Sequence, residues 1–238
     1  MSHATTTNAP LTERQIAIGC IAASAATGDM ARLNTALNLG LDAGLTISEV
    51  KEVLVQLYAY AGFPRALNAL TELMSVLQTR RNRGLKDAPG RDPTPLSPRQ
   101  SMLDVGTENQ TRLSGAPVRG ALFEFAPVID QFLKSHLFGD IFARDNLDWA
   151  NRELATVGAL SAMTGVDTQL QAHIRISMNA GLTAGQLDQF ARALTARGDT
   201  RAGNHLLAAL GRRAEAHPPD LPTGAAPSDA VPSDGANP

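Results

Sequence analysis

The chain has 238 residues, of which 43% are hydrophobic and 4% aromatic, and its formal net charge is -2. That length can bury one large core or two small ones, and the near-neutral charge excludes nucleic acid as the main partner. The single cysteine, Cys20, excludes an internal disulfide framework and any CxxC pair, and no apolar run reaches membrane-spanning length. The alanine content favours closely packed helices. The opening MSHATTTNAP reads as a flexible arm over residues 1–10 without an apolar signal core, so a cytoplasmic protein is expected.

Thr12 with Gln15 predicts a capping box for a helix running to about Thr27, and Gly28–Asp29 breaks it. A second helix follows from Met30 to Leu41. Thr46 or Ser48 caps a third, with Val50, Val53, Leu54, Leu57 and Tyr58 on one face. Phe63–Pro64 reads as a hinge into a fourth helix, Arg65 to about Arg80, since proline suits a helix start. A first helical unit is therefore expected over 11–80. Residues 81–105 are rich in proline and charge, and read as an extended linker.

The second half, 106–216, resumes the helical pattern. Phe123 to Phe142 reads as helix with aromatic anchors Phe123, Phe125, Phe132 and Phe138. Asp148 caps a helix from Trp149 to Thr164. The stretch LQAHIRISMNAGLT, Leu170–Thr183, places Leu170, Ile174 and Met178 at helical spacing with His173 against them. Thr183 caps the next helix, Gln186–Ala196, and the last runs from about Thr200 to Ala216. The remainder, 217–238, is Pro, Ala, Ser, Asp and Gly, and reads as a disordered tail.

The chain contains one unit twice. Sliding Ala22–Thr46 by 137 positions onto Ala159–Thr183 brings ten identical pairs together in 25 positions, among them the AGLT of Ala43–Thr46 and Ala180–Thr183. At an offset of 136, Arg65, Ala66 and Asn68 meet Arg201, Ala202 and Asn204. Such a duplication predicts two similar units packed about a pseudo-twofold axis. Only the second carries a histidine: Ala36 stands where His173 would fall.

Three stretches carry a resemblance. VLVQLYAYAGFPRALNAL (Val53–Leu70), LDWANRELATVGALSAMTG (Leu147–Gly165) with the His173 stretch after it, and GTENQTRLSG (Gly106–Gly115) together resemble the carboxymuconolactone decarboxylase family in a tandem form. The second unit departs from it, with ARGDTRAGNHL where the first has YAGFPRALNAL. The resemblance implies an all-α fold of two related repeats of the alkylhydroperoxidase-D-like type, joined by the linker. It implies a cofactor-free lyase of aromatic-compound catabolism, acting on a small carboxylated lactone or related acid. A fused pair of repeats further implies a homotrimer that mimics a hexameric ring.

In such a reaction the substrate is its own electron sink, so the protein must orient a carboxylate, stabilise charge on a carbonyl oxygen and deliver a proton. His173 suits the proton transfer, although a lone histidine on an apolar face also reads as a core residue. Arg152 suits a bidentate carboxylate clamp and Glu153 suits orienting His173 or acting as a base; both also read as ordinary residues of a first helical turn. Arg144 is a second anion contact, and Tyr60, Phe63 and Asn68 from the first unit are candidate pocket residues. Cys20 offers a different chemistry, a thiol peroxidase or reductase, and a non-enzymatic assembly protein of the same fold is a third reading. His3, His205 and His217 have no metal-site spacing, and His136 reads as structural.

Overall fold

The computed structural model describes residues 9–96 and 100–216. Their regular structure is helical throughout: α1 (Glu13–Thr27), α2 (Met30–Asp42), α3 (Ile47–Asn82), α4 (Met102–Ser114), α5 (Ala121–Phe125), α6 (Pro127–Phe132), a π-helix (Leu133–Ile141), α7 (Trp149–Ala162), α8 (Asp167–Asn179), α9 (Ala184–Ala196) and α10 (Thr200–Ala216). The expected tail and all but the end of the expected arm lie outside the described residues.

Side-chain caps decide where these helices begin. Thr12 and Gln15, Thr46 and Glu49, and Thr183 and Gln186 form three reciprocal boxes, starting α1, α3 and α9. Asp29 and Asp148 accept from the backbone of Arg32 and Asn151 and start α2 and α7.

The two-repeat architecture follows the sequence offset closely. Moving α2 by 137 positions lands it on α8, and α1 lands on α7. Inside α3, Gly62 leaves the helix at φ 81°, and 136 positions on Gly198 (φ 88°) separates α9 from α10. The first part of α3 therefore corresponds to α9 and the second to α10. Equivalent arginines do equivalent work. Arg201 donates to the Ala162 carbonyl at the end of α7, and Arg65 lies over Gly28 at the end of α1. Both place a cation where a helix presents negative partial charge.

The core sits where α1 crosses α7. A Cβ on Gly158 would lie 2.3 Å from the Gly19 carbonyl oxygen, and one on Gly19 would lie 2.2 Å from the Phe190 ring. Only glycine allows the two backbones this close. Around the crossing, α3 packs on α7 as α9 packs on α1, the reciprocity that an approximate twofold axis produces.

Two expectations change. The segment after α3 is not a free linker but a strap. Ile47 and Ser48 at the start of α3 donate to the carbonyls of Ala88 and Pro89, both at 2.9 Å. Arg80 grips Asp87 in a bidentate pair, and Thr94 donates to Asp145 from its backbone and its hydroxyl (2.8 and 2.7 Å). Residues 123–142 are not one helix either. Pro127 lacks an N–H and forces Ala126 out of helical geometry (φ -130°, ψ 70°), and beyond Phe132 the coil widens to the π form. Of the four expected aromatic anchors only Phe138 is buried; Phe125 is 89% exposed.

Candidate active site

Helix α7 begins at its Asp148 cap, which places Glu153 one turn in, on the buried side. Helix α8 runs beside it and presents His173 to that carboxylate. His173 Nδ1 and Glu153 Oε2 are 2.8 Å apart, with Glu153 fully buried and His173 nearly so. An ionised carboxylate only accepts, so Nδ1 carries the proton in this pair. His173 Nε2 has no partner among the described residues and is free for chemistry. Neutral, it is a base; in the imidazolium form it gives up a proton. Among the described residues, Glu153 Oε1 is buried without a partner.

The first repeat supplies Tyr60 as a neighbour. Its ring meets the His173 ring edge-on, centroids 5.5 Å apart, and its buried hydroxyl, with Thr156 near it, makes no hydrogen bond of good geometry among the described residues. Burial, and then the nearby Glu153 carboxylate, push that hydroxyl well above the ordinary phenol range. The other two residues expected from the first repeat do not reach His173. Phe63 follows the Gly62 break, so it swings outward and stacks on Tyr58 at 4.4 Å, and Asn68 is exposed one turn and more further on.

Arg152 does not fit the expected clamp. The fully buried side chain points away into the core, where Nη2 donates to Glu52 Oε2 (2.9 Å) and the Arg144 carbonyl (2.8 Å), and Nη1 to Gln56 (3.1 Å). Arg144 is drawn to the same carboxylate, at 2.6 to 3.1 Å, so its expected anion contact is occupied from within. Burial raises the Glu52 carboxyl, but hydrogen bonds from Arg144 and Arg152 outweigh it and hold the group below its ordinary value. Glu52 and Gln56, which sequence reasoning did not single out, are thus the residues that tie α3 to α7. Gln56 also donates to the Arg152 carbonyl and to Thr156.

Cys20 is buried in α1. Burial pushes its thiol up to about 11, and the Arg197 guanidinium only partly opposes this.

The surroundings of His173 are one-sided. Leu113 of α4 and Leu137, Phe138 and Ile141 of the π-helix form a second apolar cluster with Ile176 of α8, against which Tyr60 and Trp149 pack. Gly106 makes this hairpin tight, its Cα seated against the Lys134 carbonyl. Asn179 of α8 donates to the Leu113 carbonyl at 2.8 Å and ties the cover down. Among the described residues the first repeat has no such cover: Leu39, the counterpart of Ile176, is 45% exposed where Ile176 is 9%.

A family model described as the carboxymuconolactone decarboxylase family matches residues 1–73 and 127–211. The chain belongs to the carboxymuconolactone decarboxylase family. No curated protein matches it. The two matched segments of this carboxymuconolactone decarboxylase family chain fall on the two repeats, the first including Tyr60 and the second including Glu153 and His173. Residues 74–126, which hold the strap and α4, lie outside both matches.

Proposed function

We propose that the protein is a cofactor-free lyase that removes carbon dioxide from a small carboxylated lactone or related acid. The observation that carries this reading is the buried Glu153–His173 pair with Nε2 unengaged. When the carboxylate leaves, its bonding electrons pass through the ring double bond into the lactone carbonyl. The His173 imidazolium then transfers the Nε2 proton to carbon, and Glu153 holds the resulting imidazole by Nδ1–H. Carbon dioxide departs neutral, and solvent returns the proton to His173. The carboxylate anchor is not Arg152 or Arg144 as they stand, both being bound to Glu52. A further part of the same proposal is a cytoplasmic homotrimer in aromatic-compound catabolism.

The thiol-peroxidase reading through Cys20 draws less support, because a thiol pushed up to about 11 holds almost no thiolate at neutral pH. The test is carbon dioxide release from a panel of lactone and β-keto acids by the intact protein and by His173→Ala. Release that disappears in the variant supports the reading. Release that survives it, or peroxide consumption that depends on Cys20, overturns it. Activity absent towards every acid would favour an assembly protein of the same fold.

A further inference from the structure

Arg152 and Arg144 are both bound to Glu52, which leaves the acid without a cation to hold it. The elements packed around the Glu153–His173 pair carry three others. Lys134 of the π-helix is paired with Asp130 at 2.5 Å. Arg175 follows His173 by two residues on α8, which turns it to the opposite, exposed side of that helix. Arg112 of α4 is exposed and bonds no carboxylate among the described residues; its guanidinium carbon lies 4.9 Å from the centre of the Trp149 ring. That ring sets the cation beside the pair. Trp149 precedes Glu153 by four residues, so the two share one face of α7, about 6 Å apart along its axis. Trp149 also packs against the same apolar cluster as Tyr60, whose ring meets His173. We propose that Arg112 binds the carboxylate of the acid, with Trp149 as the platform under its guanidinium. This rests on the reading of the Glu153–His173 pair as a decarboxylase site.

A guanidinium laid over an indole keeps its edge free. Its N–H donors lie in its own plane, spaced to meet both oxygens of a carboxylate, while the ring face below holds it by cation–π attraction. The platform is itself fixed, because Trp149 Nε1 donates to the Phe142 carbonyl at 3.0 Å. The arm that brings the cation is fixed as well: the carbonyl of the next residue, Leu113, accepts from Asn179 of α8. The acidic groups at this end of α7 are already engaged. Asp148 accepts from the backbone and side chain of Asn151, and Glu153 bonds His173. Asp140 of the π-helix bonds His136. Binding and proton transfer then come from different parts of the chain. Arg112 stands outside the two segments that match the family, and the Glu153–His173 pair stands inside the second. Arg112 acts in binding, so its loss raises KM more than it lowers kcat.

The probe is γ-butyrolactone-γ-carboxylate, which lacks the ring double bond and so stays intact. Its affinity for the full chain is measured by calorimetry at constant ionic strength, and the emission of Trp149, the one tryptophan of the sequence, is followed in the same titration. The expected result is saturable binding that shifts the emission, weakened about tenfold in Arg112→Gln and partly restored in Arg112→Lys. Arg175→Gln should bind as the intact protein does, and γ-butyrolactone, without the carboxylate, should leave the emission where it is. Equal affinity in Arg112→Gln overturns the proposal, as does an emission that the acid never moves. Equal weakening in Arg175→Gln assigns the effect to net charge and overturns it too. Carbon dioxide release keeps the two readings apart. An acid turned over with its KM unchanged in Arg112→Gln removes this assignment and leaves the lyase. A probe that binds through Arg112 while no acid is turned over leaves the anion site and removes the lyase.

Discussion

His173 and Glu52 are both buried polar residues, yet their substitutions should behave differently. His173→Ala should cost roughly 10²–10⁴-fold in turnover, the usual worth of a positioned proton-transfer group, while the protein stays folded. Turnover and melting temperature measured on one sample separate that from a merely structural loss. Glu52→Gln should do the reverse. It leaves the Arg152 guanidinium buried without its counter-charge, a loss of about 3–5 kcal/mol, readable in denaturant unfolding. The same carboxyl sets an acid limit. Its folded value lies below the ordinary 4.5, so the unfolded chain binds the proton first as pH falls. The stability it contributes is complete above about 4.5 and is lost as pH drops through the folded value, which an acid titration of the melting temperature would follow. His173 stood out in the sequence as a candidate because an amphipathic helix displays its odd residue, and Glu153 stood out through the family resemblance. Glu52 was not: on a helix with other charges it reads as a solvated side chain, and its partners Arg144 and Arg152 come 92 and 100 residues later.

At the level of helices, local chemistry predicted starts better than courses. Thr12, Asp148 and Thr183 cap where their side chains said they would, and of the two candidates Thr46 and Ser48 it is Thr46 that caps α3, because a cap is settled within three or four residues. The run from Phe123 to Phe142 misled, since aromatic spacing suggested burial that the rest of the chain does not supply, and Pro127 divides it. The proline-rich strap misled in the other direction. Composition announces an extended segment but not the N–H groups of α3 waiting to bond it. The crossing of α1 and α7 gives a sharp prediction of its own. Gly158→Ala would drive a methyl group against the Gly19 carbonyl, on backbone that cannot yield, and should destabilise by about 1–3 kcal/mol. Gly185→Ala, in open surroundings on α9, is the matched control and should be close to neutral.

The whole molecule leaves apolar surface unused. Leu122, Phe125, Val128, Ile129 and Phe132 are exposed together on α5 and α6, and Phe63, Leu67 and Met74 line one side of α3. Faces of this kind mark association, and light scattering of the intact protein should give three times the monomer mass, with a monomer at micromolar concentration overturning the trimer. Within one chain the halves meet through the α1–α7 crossing and through the strap, whose far end bonds Asp145 in the second half. These contacts lie on described residues to either side of Leu96, where the chain can be cut. Severed there, the gene could be expressed as two messages, residues 1–96 and 100–238, and the pieces should find each other. They should co-purify as a stoichiometric pair and unfold in one transition, the tether having served only to raise the concentration of each piece near the other.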